Sequence, residues 1–393
     1  MSDELEYLRE FCTSDRQREV LSALRDHGGN RRDAATALGL TSERAVYGMI
    51  KRLKVQAARA GKGPEYGTPG AVPPGYALKG TSQLVDDTTG ETRMTWYKTD
   101  ADKQAAIEAV VGAIESACEG IKPRPPIKAP RRANVDVCSV YNITDYHIGM
   151  YAWRDETGDD WDTHIAESLL VQAFEEMILT APDSELGIFA QMGDFLHWDG
   201  LLALTPASKH VLDADTRFDR LAEVAIRVSI QIVEMLLVKH KRVLVITAEG
   251  NHDEAGSVWL RKVLKFYFAK NKRVEVDDTP FPYYATLWGH TMIAWHHGHK
   301  KAHKALPGLF ASEPRYREMW GQAKYTWIFD GHYHRGELEE DNGARTERLP
   351  TLAARDAYAA RGGWVSWRAT PRIDFHKTRG ELSRYWFTPT EGE

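Results

Sequence analysis

Five apolar stretches of the chain each end in residues that bind divalent cations. "VDVCSVYNITD" leads to Asp145 and His147, "ELGIFAQMGDF" to Asp194, and "RVLVITAEGNH" to Asn251 and His252. "TMIAWHHGH" carries His297, and "YTWIFDGHYH" ends in His332 and His334. Carboxylate, amide and imidazole donors suit hard or borderline metals. A lone histidine on an apolar strand is usually a hydrogen-bonded core residue. Five such endings in succession point instead to one shared crevice, because ligands gather at strand ends in open α/β sheets. Asp145 and His147 are two apart, as are His332 and His334, so in extended chain each pair points to one side. His197, His296 and His299 lie beside these positions and are open between substrate contact and packing. Arg355, in "TLAARDAYAARGGW", is open between a phosphate-binding arginine and a surface ion pair. Asp162 and Asp199 read as solvated loop carboxylates, and Trp198, Trp295 and Trp327 as core rather than stacking residues.

The elements that must position these groups follow from patterning. The five stretches are near-continuous apolar runs, as expected of strands buried on both faces. Amphipathic helices are expected between them at Thr163 to Thr180 and Arg217 to His240. The N-terminal part has a different texture. Ser14 caps an expected helix to about His27, Asn30 a second ending near Gly39, and Thr41 or Ser42 a third reaching Ala60. Val20, Leu21, Leu24, Ala34, Ala35, Leu38, Leu40, Val46 and Ile50 would form their common core. A Gly/Pro-rich stretch follows, then two expected strands around "DDTTGE", a helix from Ala101 to Ala117, and the basic, proline-rich "IKPRPPIKAPRRA". The expected domains are residues 1–62, a connecting 63–133 and a catalytic 134–393.

The totals bound the possibilities. At 393 residues two domains are expected, and the net charge of -5 argues against a uniformly basic nucleic-acid binder. No apolar run approaches the roughly 20 residues that span a bilayer, so a cytoplasmic protein without membrane partners is expected. Cys12, Cys118 and Cys138 are too scattered for a disulfide framework or a cysteine zinc site. Oligomeric state is not readable.

The five blocks, "DYH", "GDFLH", "GNHD", "HGH" and "GHYH", resemble in type and order the motifs of the calcineurin-like metallophosphoesterase superfamily, over roughly Val135 to the C-terminus. The resemblance implies an α/β/β/α sandwich with an N-terminal helix-turn-helix domain added. It implies that Asp145, His147 and His334 hold one metal, that Asn251, His297 and His332 hold another, and that Asp194 bridges them. His297 is preferred to His296 because the family's ligand immediately precedes the glycine. His252 would contact phosphate and protonate the leaving oxygen, with Asp253 either orienting its ring or idle in a loop. Two cations roughly 3.5 to 4 Å apart lower the pKa of a bound water and neutralise charge in the transition state. Mn²⁺ is the expected metal, with Fe²⁺ and Zn²⁺ compatible with the same donors.

"GGNRRDAATALGLTSERAVYGMIKRLKVQAARAG" resembles a helix-turn-helix whose third helix would bring Arg44, Tyr47, Lys51, Arg52 and Lys54 to DNA. The turn after Gly39 is about one residue longer than the commonest spacing. A protein-docking helical module is the alternative. The whole arrangement is similar to phage- and prophage-encoded proteins described as DNA repair exonucleases. The reading is a two-metal DNA phosphodiesterase tethered to its substrate. The alternatives are hydrolysis of a small phosphoester, cyclic nucleotide or phosphoprotein, and a DNA-binding regulator with a structural metal site.

Overall fold

The computed structural model describes residues 8–40, 42–59, 76–85, 92–101, 112, 127–206 and 209–390, with the strands at 76–85 and 92–101 described by backbone alone. The expected helix from Ala101 to Ala117, apart from Gly112 and from Ala101, which is the last residue of a strand, lies outside the described residues, as do the Gly/Pro-rich stretch, the "DDTTGE" turn and residues 121–126 of the proline-rich linker. The chain divides into two compact units, Met1–Glu108 and Ala109–Glu393.

In the first unit, α1 (Asp15–Asp26), α2 (Arg31–Ala37) and α3 (Glu43–Arg59) form where the caps and apolar spacing place them. The Ser14 hydroxyl accepts from the Gln17 amide while the Gln17 side chain reaches back to the cap, and the Asn30 side chain accepts from Arg32 and Asp33. Leu8, Val20, Leu24, Ala34, Val46, Leu53 and Ala57 are buried together, with Leu38 and Leu40 packed against them. β1 (Tyr76–Val85) and β2 (Thr92–Ala101) pair antiparallel.

The second unit is a sandwich of two sheets. β3 (Asn134–Ile143), β4 (Ser184–Gln191), β5 (His240–Thr247) and β6 (Val274–Asp277) run parallel in the first sheet. β7 (Tyr284–Trp288), β8 (Thr291–Trp295), β9 (Tyr325–Asp330), β10 (Glu337–Asp341) and β11 (Ala344–Arg348) form the second, in the order β10-β11-β9-β8-β7, with β8, β9 and β11 parallel. β12 (Thr370–His376) then pairs antiparallel with β3, and β13 (Gly380–Phe387) with β12, which completes six strands in the order β13-β12-β3-β4-β5-β6.

Three apolar clusters define four layers. Val140, Ile188, Ile246 and Ile373 of the first sheet meet Ile293, Trp295, Trp327 and Phe329 of the second. The outer face of the first sheet, through Tyr141, Phe189, Val243 and Val245, packs on the helices Thr163–Leu179, Phe218–Lys239 and Glu254–Tyr267. The outer face of the second, through Met292, Ala294 and Ile328, packs on the helix Leu306–Ser312. The result is the α/β/β/α sandwich, with all five expected strands present as β3, β4, β5, β8 and β9. Parallel strands covered on both faces explain the apolar runs. Among the described residues no helix is long and apolar enough to cross a membrane.

One buried polar contact makes the sandwich sensitive to acid. The His240 ring is fully buried, faces the Tyr141 hydroxyl at 2.9 Å and the Ser184 hydroxyl at 2.7 Å, and lies against Gly187. Burial, helped by Arg372 and Lys239, pushes its pKa down to about 3. The native state therefore holds His240 neutral while the unfolded chain takes up a proton below its ordinary pKa of about 6.5. Stability is present above that pH and is lost as pH falls through it toward 3, by about 2 kcal/mol at pH 5. Denaturant titrations at pH 7.5 and 5 should show that His240→Gln reduces this pH difference by about that amount; an unchanged difference would remove His240 as its source.

Candidate metal centre

The five motif strands belong to different sheets, three to the first and two to the second, and their C-terminal ends meet at one edge of the sandwich. Two groups of ligating atoms that include a carboxylate form there, Asp145 with His147 and His334, and Asp194 with His297 and His332, and a third, all imidazole, joins His147 to His197 and His252. Asn251 joins the second group, its Oδ1 lying 3.3 Å from His297 Nε2. His297 Nε2 is also 3.2 Å from Asp194 Oδ2 and 3.9 Å from Asp145 Oδ1, so the two groups are contiguous. In the first group His147 Nε2 and His334 Nε2 face one another at 3.3 Å, with Asp145 Oδ1 3.2 Å from His334 Nε2.

The manner of convergence differs from the alternation expected of extended chain. Asp145, His147, Asp194, His332 and His334 all lie beyond the ends of their strands with φ between 50° and 72°, the left-handed region that residues with a Cβ rarely occupy. The chain turns sharply at each strand end, and the turn rather than the pleat aims the side chain. Such conformations cost free energy and persist where surrounding structure holds them, commonly at functional sites.

The surroundings show what holds them. Asp253 is only 1% exposed, and its carboxylate accepts from the amides of Asp194, Phe195, Leu196 and Gly250 at 2.8 to 3.2 Å. It thus clamps the Asp194 turn to the Asn251 turn. Neither expected role applies: Asp253 is not a solvated loop carboxylate, and the His252 ring is held instead by its Nδ1 at 2.8 Å from the His197 carbonyl. Asp145 is tied in by its Oδ2, which accepts from the Thr144 hydroxyl and the His332 amide. Two motif glycines exist because another turn passes against them. A Cβ on Gly250 would stand 1.9 Å from Asp194 Oδ1, and one on Gly331 2.0 Å from Thr144 Oγ1.

The electrostatics favour cation binding. Burial opposes charge on Asp145 and Asp194, yet the neighbouring histidines overcome it and hold both well below the usual carboxylate range. Burial also opposes charge on His297, but Asp194 and Asp145 prevail and lift it to about 10. Its Nδ1 lies 3.0 Å from the Met192 carbonyl; an N–H donated there aims Nε2 at the carboxylates. Burial, reinforced by His252, keeps His147 well below its ordinary value and brings His197 down to about 3, so both rings are neutral. Asp145 Oδ1 is buried and accepts no hydrogen bond among the described residues, although it faces two histidine nitrogens. Against burial, Asp145 likewise raises His334, so the protons on His297 and His334 occupy the place beside the carboxylates that a divalent ion would take by displacing them. The anionic oxygens, the imidazoles and an unpartnered buried carboxylate oxygen form a donor set that such ions satisfy.

The remaining candidates are placed as follows. His197 is buried between His147, 3.3 Å away through their Nδ1 atoms, and His252, on whose ring it stacks at 5.6 Å. His299 lies against His297 with ring centroids 5.2 Å apart, and neither of its ring nitrogens has a hydrogen-bond partner among the described residues. His296 faces away, Nδ1 on the Pro282 carbonyl and ring stacked on Tyr283. Arg355 is taken up by backbone carbonyls: Nε and Nη2 donate to Thr157 and Nη1 to Trp364. Trp198 and Trp295 are buried, as is Trp327. Asp199 is not idle, since it accepts from the Ala255 amide, and Asp162 caps the helix Thr163–Leu179. Arg44, Tyr47, Lys51, Arg52 and Lys54 are exposed on α3, with the Arg31 guanidinium over the Tyr47 ring.

No protein-family model matches the chain, and no curated protein matches it. Among solved structures, an archaeal phosphodiesterase is similar at 13% identity, covering 63% of this chain and 99% of that one, with a TM-score of 0.31. A dimetal phosphatase from Danio rerio is similar at 11% identity, covering 65% and 100%, with a TM-score of 0.32. Vacuolar Protein Sorting 29 from Cryptosporidium parvum is similar at 16% identity, covering 66% and 94%, with a TM-score of 0.30.

Proposed function

We propose that the chain is a two-metal phosphodiesterase that hydrolyses nucleic acid, with its N-terminal unit binding DNA. The observation that carries the reading is the meeting of two ligand groups, each with a buried carboxylate and two histidines, at the C-terminal ends of strands from both sheets. Asp145, His147 and His334 would hold one divalent ion, and Asn251, His297 and His332 the other, with Asp194 shared. Mn²⁺ is the expected ion, and Fe²⁺ and Zn²⁺ fit the same donors. Such a pair supplies an activated water and neutralises charge on the phosphoryl oxygens.

The chain's own residues do the rest. His252 is partly exposed beside His147, ring centroids 4.8 Å apart, and its Nδ1 is engaged by the His197 carbonyl. With Nδ1 as donor, Nε2 is the nitrogen left to carry a proton to the departing sugar oxygen, a task within reach of an imidazole. His197 stacks on that ring and limits its rotation. The α3 residues Arg44, Lys51, Arg52 and Lys54 would neutralise phosphates, with Tyr47 beside them, and attachment to DNA raises the local concentration of substrate.

The decisive experiment incubates the protein and Mn²⁺ with linear, nicked, single-stranded and circular DNA, beside a chromogenic diester. Cleavage of at least one nucleic acid is expected. Turnover of the small ester alone would transfer the reading to small phosphoesters, and metal binding without any turnover would leave a regulator with a structural site. In the same assay Lys51→Ala/Arg52→Ala/Lys54→Ala should make DNA binding less salt-dependent, the log-log slope falling by roughly 0.9 per lost phosphate contact. Small-ester turnover should not change. An unaltered slope would assign the N-terminal unit to a protein partner.

A further inference from the structure

Tyr333 stands between the two histidines of the last motif and has no part in the metal groups. Its side chain is 57% exposed, and its ring lies against that of His332, centroids 4.9 Å apart and nearly perpendicular. An aromatic ring this exposed ordinarily moves freely, but this one rests on a buried cation. The Arg348 guanidinium is 4.5 Å from the ring centroid and only 5% exposed. Arg348 is itself fixed, Nη2 donating to Asp330 at 2.9 Å and Nη1 to Glu337 at 2.8 Å. Asp330, fully buried, is held from another side by His303 Nδ1 at 3.0 Å.

A chain of buried polar contacts thus runs from His303 through Asp330 and Arg348 to an exposed aromatic ring beside a candidate metal ligand. Building on the phosphodiesterase reading, we infer that Tyr333 is a preformed stacking platform for the planar base of a nucleotide whose phosphate lies at the metal centre. Stacking tolerates any base because every base presents a π-face, and a ring already immobilised loses little entropy on binding. The substrate class this favours is a strand whose base next to the scissile phosphate is unpaired, since a base within a duplex has no free face to offer.

The test compares thymidylyl-thymidine with analogues lacking one base or the other. The wild-type protein should prefer a base-bearing dinucleotide over one abasic analogue by on the order of tenfold in kcat/KM. Tyr333→Ala should abolish that preference, mainly through KM, while Tyr333→Phe retains it. A second measurement needs no metal: in EDTA, the fluorescence of a 2-aminopurine dinucleotide should be quenched by wild-type and Tyr333→Phe protein and not by Tyr333→Ala. Unchanged base preference and quenching in Tyr333→Ala, or their absence in the wild-type protein, would overturn the platform. Quenching together with no cleavage of any DNA in the panel above would keep the platform and overturn the nuclease reading.

Discussion

The Asp194→Asn protein is expected to remain folded, to bind fewer divalent ions, and to lose phosphodiester turnover by at least about 10³-fold. Asp194 belongs to the group with His297 and His332 and is the residue proposed to serve both groups. Its Oδ2 is 3.2 Å from His297 Nε2, and its Oδ1 accepts from the His252 amide at 2.8 Å, which ties the second group to the residue proposed as general acid. Asparagine preserves the shape and can still accept that amide, so the turn keeps its anchor. What disappears is the negative charge, at a position where burial already makes an uncompensated cation costly. A shared carboxylate that stabilises two ions contributes several kcal/mol to transition-state charge balance, and each 1.36 kcal/mol is about tenfold in rate. Calorimetric titration with Mn²⁺, alongside steady-state turnover of a chromogenic diester, reads both effects. Full turnover with an intact two-ion isotherm would exclude Asp194 as the shared ligand.

Much of the catalytic unit is legible in sequence because its strands are parallel and covered on both faces, which writes itself as uninterrupted apolar runs. The ends of β3, β4, β5, β8 and β9 were readable for the same reason: a polar cluster after such a run has few places to go. Other features depend on distant chain. β12 pairs with β3 through Arg372 opposite Tyr141, a contact between segments that share no local pattern. β12 and β13, which complete the first sheet, therefore have no signature of their own. The left-handed turns at Asp145, His147, Asp194, His332 and His334 were also hidden, since spacing by two suggests extended chain. Asp253 departs from both expected roles because an acidic residue after a strand end usually faces water, whereas here four amides from two turns converge on it. Its position inside "GNHD" was the available signal. Asp330 carried a comparable one, an acidic residue closing the apolar run "YTWIF". Of the α3 residues, the sequence foretold exposure, and their partner is a matter for the DNA experiment.

The second large effect should come from a single methyl group. Gly250→Ala adds a Cβ 1.9 Å from Asp194 Oδ1 and 2.3 Å from the Asp194 backbone nitrogen. A flexible side chain could yield to such an intrusion; a backbone nitrogen held by Asp253 cannot move without its turn. The Asp194 turn and the Asn251 turn must separate, and both carry candidate ligands. Because Asp253 accepts from the amides of both turns, their separation also lengthens bonds on one side of its carboxylate. Overpacking of this kind costs about 1–3 kcal/mol of stability. Function should suffer more, since a displacement of about 1 Å at a catalytic centre can cost roughly 10²-fold in rate. Gly250→Ala should therefore lower turnover by at least about 10²-fold and weaken Mn²⁺ binding, while thermal unfolding still shows a cooperative transition. Gly308, whose added Cβ would meet nothing within 4 Å, is the control: Gly308→Ala should leave turnover and Mn²⁺ affinity unchanged. Equal behaviour of the two variants would mean that the close passage of these turns does not position the site.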